Sequence, residues 1–360
     1  MPARHHELRE RTPLPEPNRL IEVLQTFPDT RHLRAGDLIP LRVKGVNHDH
    51  VRLRGAGLVL RLPRRTPWLG DPAAQLALEA AAFRRAEPSG VTPRLLRTIE
   101  PSPALPLGGL LVEDIEGGPP NLPSDLLAIA HALARLHKLP LPSVPGRPPL
   151  PDHSVIGPVA ATLEIIERQR PFLTQIHCAP ETIAALEQEY AWARRYAADA
   201  RPETQPIALV GTDTHPGNFI LRPSGGAVLV DLERVCYGSP AIDLAHATLS
   251  TSTHWDLEVQ AELSQEDVLA FYQTYLEAIG PRASATLAPW LLPARRLTWL
   301  RTTMWAVRLG VLIEEKALEL SGMLAAHTRA WLDRFLSPAE IARVRAEWLE
   351  GTGVMIRVGS

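Results

Sequence analysis

Lysine is scarce in this 360-residue chain. Lys44, Lys138 and Lys316 are its only three, leaving 35 of the 38 basic residues as arginine. Basic chemistry here therefore rests largely on guanidinium groups. Cysteine is scarcer still: Cys178 and Cys236 stand far apart and outside any metal-ligand spacing, which argues against a disulfide framework or a cysteine zinc site. Both read as small apolar residues. An excess of either charge is missing too, since 38 basic residues face 40 acidic ones for a net charge of -2, and there is no electrostatic footprint for nucleic acid or an anionic membrane. No apolar run approaches the ~18–20 residues of a membrane span, and the opening MPARHHELRERTPLPEP lacks the apolar core of a signal peptide. The expectation is a cytoplasmic protein, monomeric or homodimeric, that binds neither nucleic acid nor membrane. With 45% hydrophobic and 22% charged residues, the composition is that of an ordinary globular protein, long enough for two modest domains or one bilobal enzyme.

The informative stretch is residues 207–233, IALVGTDTHPGNFILRPSGGAVLVDLE. It reads as a strand over 207–210, a polar loop over 211–218, a short strand over 219–221, a Pro-Ser-Gly-Gly turn and a second apolar strand closing on Asp231. Short β-rich runs about a glycine-containing turn are a hairpin signal, so Asn218 and Asp231 are expected near each other at the open end. Asp213 lies on the loop that feeds it. Two carboxylates and a carboxamide in one place suit phosphoryl transfer, which uses oxygen ligands for Mg²⁺ and one acid to orient a hydroxyl nucleophile. The five-residue step from Asp213 to Asn218 is also the step from the catalytic Asp to the metal-binding Asn in the kinase catalytic loop.

The wider pattern runs D-T-H-P-G-N-F-I-L, then V-L-V-D-L-E, then Y-G-S-P-A-I-D-L-A ending at Ala245. It resembles the aminoglycoside phosphotransferase and choline kinase-like family of small-molecule kinases. The resemblance implies an α+β, bilobal, protein-kinase-like fold with a small antiparallel-sheet N-lobe and a larger, mostly helical C-lobe. It implies ATP and Mg²⁺ as cofactors, Asp213 as the residue orienting the acceptor hydroxyl, and Asn218 and Asp231 as metal ligands. Asp243 is then structural, tying its helix to the catalytic loop, and His215 belongs to the loop's scaffold. The chain departs from the family where His-Gly-Asp or His-Asn-Asp usually opens the loop, because Gly211-Thr212-Asp213 stands there. The missing histidine bears on the rigidity of the loop more than on its chemistry.

Three short strands, 38–44, 50–54 and 58–63, resemble the amino-terminal lobe of that fold. The first turn, with Gly45 and Asn47, is where a kinase covers the nucleotide phosphates. No lysine lies on the third strand, so Arg61 is the expected phosphate-binding residue, and a guanidinium can offer phosphate a bidentate fork. Asp71-Pro72 opens a helix in which Glu79 is the expected partner of Arg61. Residues 110–118, LLVEDIEGG, resemble the hinge, where the main chain at Glu113 and Ile115 is expected to hold adenine. The expected organisation is an arm and short helix over 1–30, a nucleotide-binding lobe over 31–118, and a catalytic and substrate-binding lobe over 119–350. Ser124 is expected to cap the first large-lobe helix, which carries an apolar stripe including Leu127.

The implied activity is transfer of the γ-phosphate of ATP to a hydroxyl of a small molecule: an aminoglycoside, choline or ethanolamine, or another small alcohol or sugar. A catalytically idle pseudokinase that binds nucleotide or a partner is the alternative. Three features bear on the acceptor and disagree. Six of eight tryptophans fall in the last third and suit an aromatic box for a quaternary ammonium. Arg301, Trp305 and Arg308 share a helical face suited to an anion. Asp256, Glu258, Glu262, Glu266 and Asp267 suit a polycation.

Overall fold

The computed structural model describes residues 14–41, 47–64, 71–318, 320 and 322–353, which fall into two compact units divided after Glu116. In the first, α1 (Pro17–Leu24) precedes β1 (Leu38–Pro40), β2 (His48–Leu53) and β3 (Leu58–Pro63); α2 (Pro72–Ala86), β4 (Leu95–Ile99) and β5 (Gly109–Glu113) follow. The strands form one antiparallel sheet in the order β1-β2-β3-β5-β4. Gly55 and Gly57 make the β2–β3 turn at φ +74° and +66°, where a residue without Cβ carries no steric penalty. Asp71 caps α2, accepting the Ala73 N–H at 3.1 Å, with Pro72 in the first turn. Helix α1 buries Leu20, Ile21 and Leu24 against Leu53, Leu60 and Leu62 of the sheet.

The second unit runs through α3 (Leu126–His137), α4 (Pro158–Gln169), α5 (Pro180–Asp199), β6 (Ala208–Val210), β7 (Phe219–Leu221), β8 (Ala227–Leu229) and β9 (Cys236–Gly238). Then come α6 (Pro240–Thr248), α7 (Ser250–Thr253), α8 (Gln265–Ile279), α9 (Pro281–Glu314), α10 (Gly322–Phe335) and α11 (Pro338–Leu349). The small antiparallel sheet in one unit and the helical mass of the other make the α+β arrangement expected of this chain. Two details of α3 differ from expectation. Asp125, not Ser124, occupies the N-cap position, and its carboxylate accepts the Asn121 N–H at 2.7 Å. Leu127 is exposed, so the buried stripe is carried by Leu126, Ile129, Leu133 and Leu136.

Helix α9 is the spine of this unit, 34 residues or about 51 Å at the standard rise. It buries Trp299, Leu300 and Met304 against α4, α5 and α6. Glu189 of α5, fully buried, accepts Arg296 Nε of α9 at 2.6 Å and Arg345 Nε of α11 at 2.8 Å. A buried carboxylate needs such partners, and these two fix three helices to one another. Helix α6 packs along α9 and α3, and its first turn delivers Asp243 to the loop after β6.

Candidate active site

Asp243 holds the loop between β6 and β7 at three residues, Gly211, Thr212 and Thr214. This carboxylate is fully buried and sits in the first turn of α6, where the helix dipole favours a negative charge. Its two oxygens accept the Gly211 N–H at 2.7 Å and the Thr212 N–H at 2.8 Å, and Thr214 Oγ1 donates to its backbone carbonyl at 2.8 Å. His137, the last residue of α3, places Nε2 at 3.0 Å from the same carboxylate and Nδ1 at 2.8 Å from the Tyr275 hydroxyl. An ionised carboxylate only accepts, so Nε2 carries the proton. The loop lacks a histidine at position 211 and is nonetheless firmly tied.

Gly211 leaves no room for a side chain. A Cβ there would lie 2.8 Å from Thr214 Cγ2 and 3.1 Å from Leu229 Cδ2. Thr212 adopts φ +58°, a left-handed conformation that costs a β-branched residue energy. Three bonds hold it there: its N–H to Asp243, its hydroxyl to the Arg234 carbonyl at 2.9 Å, and its carbonyl accepting from Arg301 at 2.9 Å.

Asp213 comes next, its side chain keeping 37% of its surface exposed, enough for a substrate group to reach it. His215 Nε2 and His246 Nδ1 stand 4.0 and 3.8 Å from its Oδ1. Burial raises the Asp213 pKa; His215 opposes the shift and Asp231 adds to it. Burial, Arg301 and His215 push His246 well below the ordinary imidazole range, so it is neutral near pH 7. The Asn218 carboxamide donates Nδ2 to the Asp213 carbonyl at 2.8 Å, which turns its oxygen away as the end that can ligand a cation. The Val230 N–H donates to the Asn218 carbonyl at 2.9 Å, and the β7–β8 register pairs Phe219 with Leu229. Asn218 thus stands across from the residue before Asp231. Asp231 Oδ1 accepts the Glu233 N–H at 3.2 Å. Among the described residues no three His, Cys, Asp or Glu side chains form a metal-holding group. Two oxygen ligands from protein still suit Mg²⁺, which completes its octahedron with water and phosphate.

In the first unit Arg61 is buried in β3 directly across from His50 of β2. Its guanidinium donates to His48 Nδ1 at 3.1 Å and His50 Nε2 at 3.3 Å, and its Nε lies 3.8 Å from Glu79 Oε2. Arginine has no acceptor, so both imidazole atoms accept and His48 must donate Nε2–H to Glu79, 3.1 Å away. Gln75 donates to the other Glu79 oxygen at 3.1 Å. Despite the cost of burial, His48 and Arg61 hold the Glu79 carboxyl below the usual carboxylate range. The Asn47 carbonyl accepts the Arg64 N–H, and Gly45 lies outside the described residues. The Glu113 carboxylate accepts the Arg94 N–H at 3.2 Å. Ile115 is buried, so any role in holding a nucleotide falls to its main chain.

This arrangement is a kinase-like fold with its candidate catalytic loop in the second unit. The model of the phosphotransferase enzyme family matches residues 41–290, and the chain belongs to that family. Among solved structures, a spectinomycin phosphotransferase in complex with ADP and spectinomycin superposes with a TM-score of 0.59 at 13% identity, over 91% of this chain and 97% of that one. A choline kinase from Cryptosporidium parvum Iowa II gives 0.57 at 11% identity, over 93% and 98%. A Plasmodium vivax ethanolamine kinase gives 0.54 at 15%, over 86% and 85%. At such identities the likeness is one of fold. Comparison with curated proteins gives no match.

Proposed function

We propose that the protein is an ATP- and Mg²⁺-dependent kinase that phosphorylates a hydroxyl of a small molecule. The observation that carries the reading is the set Asp213, Asn218 and Asp231, tied by hydrogen bonds to one loop and one hairpin. Asn218 and Asp231 would hold the cation, which would neutralise charge on the phosphates when bound. Asp213 accepts the acceptor's hydroxyl proton as its oxygen attacks. The new bond joins that oxygen to the γ-phosphorus, the bond from phosphorus to the β,γ-bridging oxygen breaks, and ADP leaves with the electron pair. The proton then passes from Asp213 to solvent. Arg61, oriented by His48, His50 and Glu79, would donate to the nucleotide phosphates. An idle pseudokinase is the weaker reading, because the ties to Asp243 supply the rigidity that a missing loop histidine would otherwise cost.

The test is ADP release from Mg²⁺-ATP across a panel of hydroxyl acceptors, run beside Asp213→Ala, with ATP binding followed by calorimetry. Acceptor-dependent release lost in the variant is expected. ATP binding that leads to no turnover with any acceptor would favour the idle reading, and failure to bind ATP would end both.

A further inference from the structure

The same loop is flanked by arginines, one of which, Arg308, has no carboxylate partner among the described residues. Arg301 and Arg308 lie seven residues apart on one face of α9, two turns along the helix. Arg301 reaches the Thr212 carbonyl, next to Asp213. The Arg234 carbonyl holds the Thr212 hydroxyl, so Arg234 emerges from the same knot of backbone, its Nε 3.4 Å from Glu233. Arg308 is half-buried with its Nε shielded from solvent and without a hydrogen-bond partner among the described residues. Its guanidinium lies 5.7 Å from the centre of the Phe172 ring, and among the described residues no carboxylate forms an ion pair with it.

A partly desolvated guanidinium beside a like charge and with no carboxylate of its own is unfavourable. Burial and the nearby Arg234 both press the Arg308 pKa downward, and no acid offsets them. Burial also presses the Arg301 pKa downward, while Asp213 and Asp243 support its charge and Arg234 adds to the opposition. A fold keeps such an arrangement at a functional loop when a ligand brings the missing charge. The tryptophans that would suit a cationic acceptor are engaged with one another. Trp255, Trp305 and Trp331 meet edge to face with centroids 4.9, 5.1 and 6.1 Å apart, and do not form an open cage.

We propose that Arg308, with Arg301 and Arg234, forms an acceptor subsite that selects an alcohol bearing an anionic group, a carboxylate or a phosphate. This rests on the kinase reading for its reaction but not for its binding. Arg308→Met should fold normally and melt no lower than wild type, since it removes a charge with no carboxylate partner among the described residues and its thioether can still pack on the Phe172 ring. Arg308→Lys keeps the charge and loses the fork.

The experiment is calorimetric titration of glycerate, glycerol 3-phosphate, glycerol and choline into wild type, Arg308→Met, Arg308→Lys and Arg61→Met, with ADP release measured on the same panel. Wild type should bind glycerate or glycerol 3-phosphate in preference to glycerol and choline, and which anion binds tells carboxylate from phosphate. Arg308→Met should weaken that binding about tenfold to a hundredfold, Arg308→Lys less, and Arg61→Met not at all. Anion binding that survives Arg308→Met, or is lost in Arg61→Met, would overturn the subsite. So would preference for choline. Anion binding dependent on Arg308 without ADP release would leave the subsite standing and count against the kinase reading; release with choline alone would do the reverse.

Discussion

The His137 imidazole lies 3.0 Å from the Asp243 carboxylate, joining the end of α3 to the residue that holds the loop after β6. Both groups are buried. Removing either strands its partners: Asp243→Ala leaves the Gly211 and Thr212 N–H groups and His137 Nε2 without their acceptor. Each buried polar group so orphaned costs ~1–3 kcal/mol. Asp243→Ala should therefore lose ~3 kcal/mol or more and His137→Ala ~2 kcal/mol, and both should lose turnover. Urea denaturation checks the first claim. A His137→Ala protein as stable as wild type would show that the imidazole only fills space.

Thr212 should behave as a strained residue held by its bonds. Thr212→Val keeps the shape and the left-handed backbone but loses the hydroxyl bond to Arg234, a loss of ~1 kcal/mol. Thr212→Gly loses the same bond and gains backbone freedom in the unfolded chain, yet relieves strain of ~1–3 kcal/mol. Glycine should therefore match wild type within ~1 kcal/mol while valine falls below it. Finding valine the more stable of the two would mean that the backbone stores nothing at this position.

Position 211 is where the family's histidine is expected, and the packing rejects it. Gly211→Ala should destabilise by ~1–3 kcal/mol through contact with Thr214 Cγ2. Thr214→Ser removes that methyl and keeps the hydroxyl that donates to the Asp243 carbonyl. The double variant should be ~1 kcal/mol more stable than the sum of the single effects predicts. Strict additivity would place the crowding elsewhere.

Much of this site was legible because it is local. Asp213, Asn218 and Asp231 lie within nineteen residues, and hairpin periodicity is enough to bring Asn218 towards Asp231. What stayed hidden depends on register or on distant chain. His48 and His50 reach Arg61 only because β2 pairs with β3 as it does, and His137 meets Asp243 across 106 residues. No motif marks either contact. The strain at Thr212 was also invisible, since threonine by itself suggests an ordinary backbone. Leu127 misled for the opposite reason: the apolar stripe of α3 is broader than the face the unit buries.

In the first unit, His48 bridges Arg61 and Glu79 and so fixes the direction of the guanidinium. His48→Ala should raise the ATP dissociation constant about tenfold through loss of that aim, with the acceptor KM unchanged. Calorimetry with Mg²⁺-ATP reads the first and steady-state kinetics the second. An unchanged ATP affinity would remove Arg61 from the nucleotide site or His48 from its support.

Asp213 itself should reveal a conflict between stability and activity. Its pKa is raised, chiefly by desolvation in the loop, and because 37% of the side chain still meets solvent the folded state resists only mildly the charged form that phosphoryl transfer needs. Such a group costs stability at pH values above its folded pKa. The cost shrinks as pH falls through that value and vanishes below the unfolded one, the ordinary 3.8 of an aspartate. Asp213→Asn should therefore melt higher than wild type near pH 7, lose that advantage as the pH approaches 4, and lose turnover ~10²-fold or more at every pH. Melting curves of both proteins across that range make the check. A variant that melts lower near neutral pH would mean that the carboxylate is held by favourable contacts, and that its exposure to substrate carries no energetic cost.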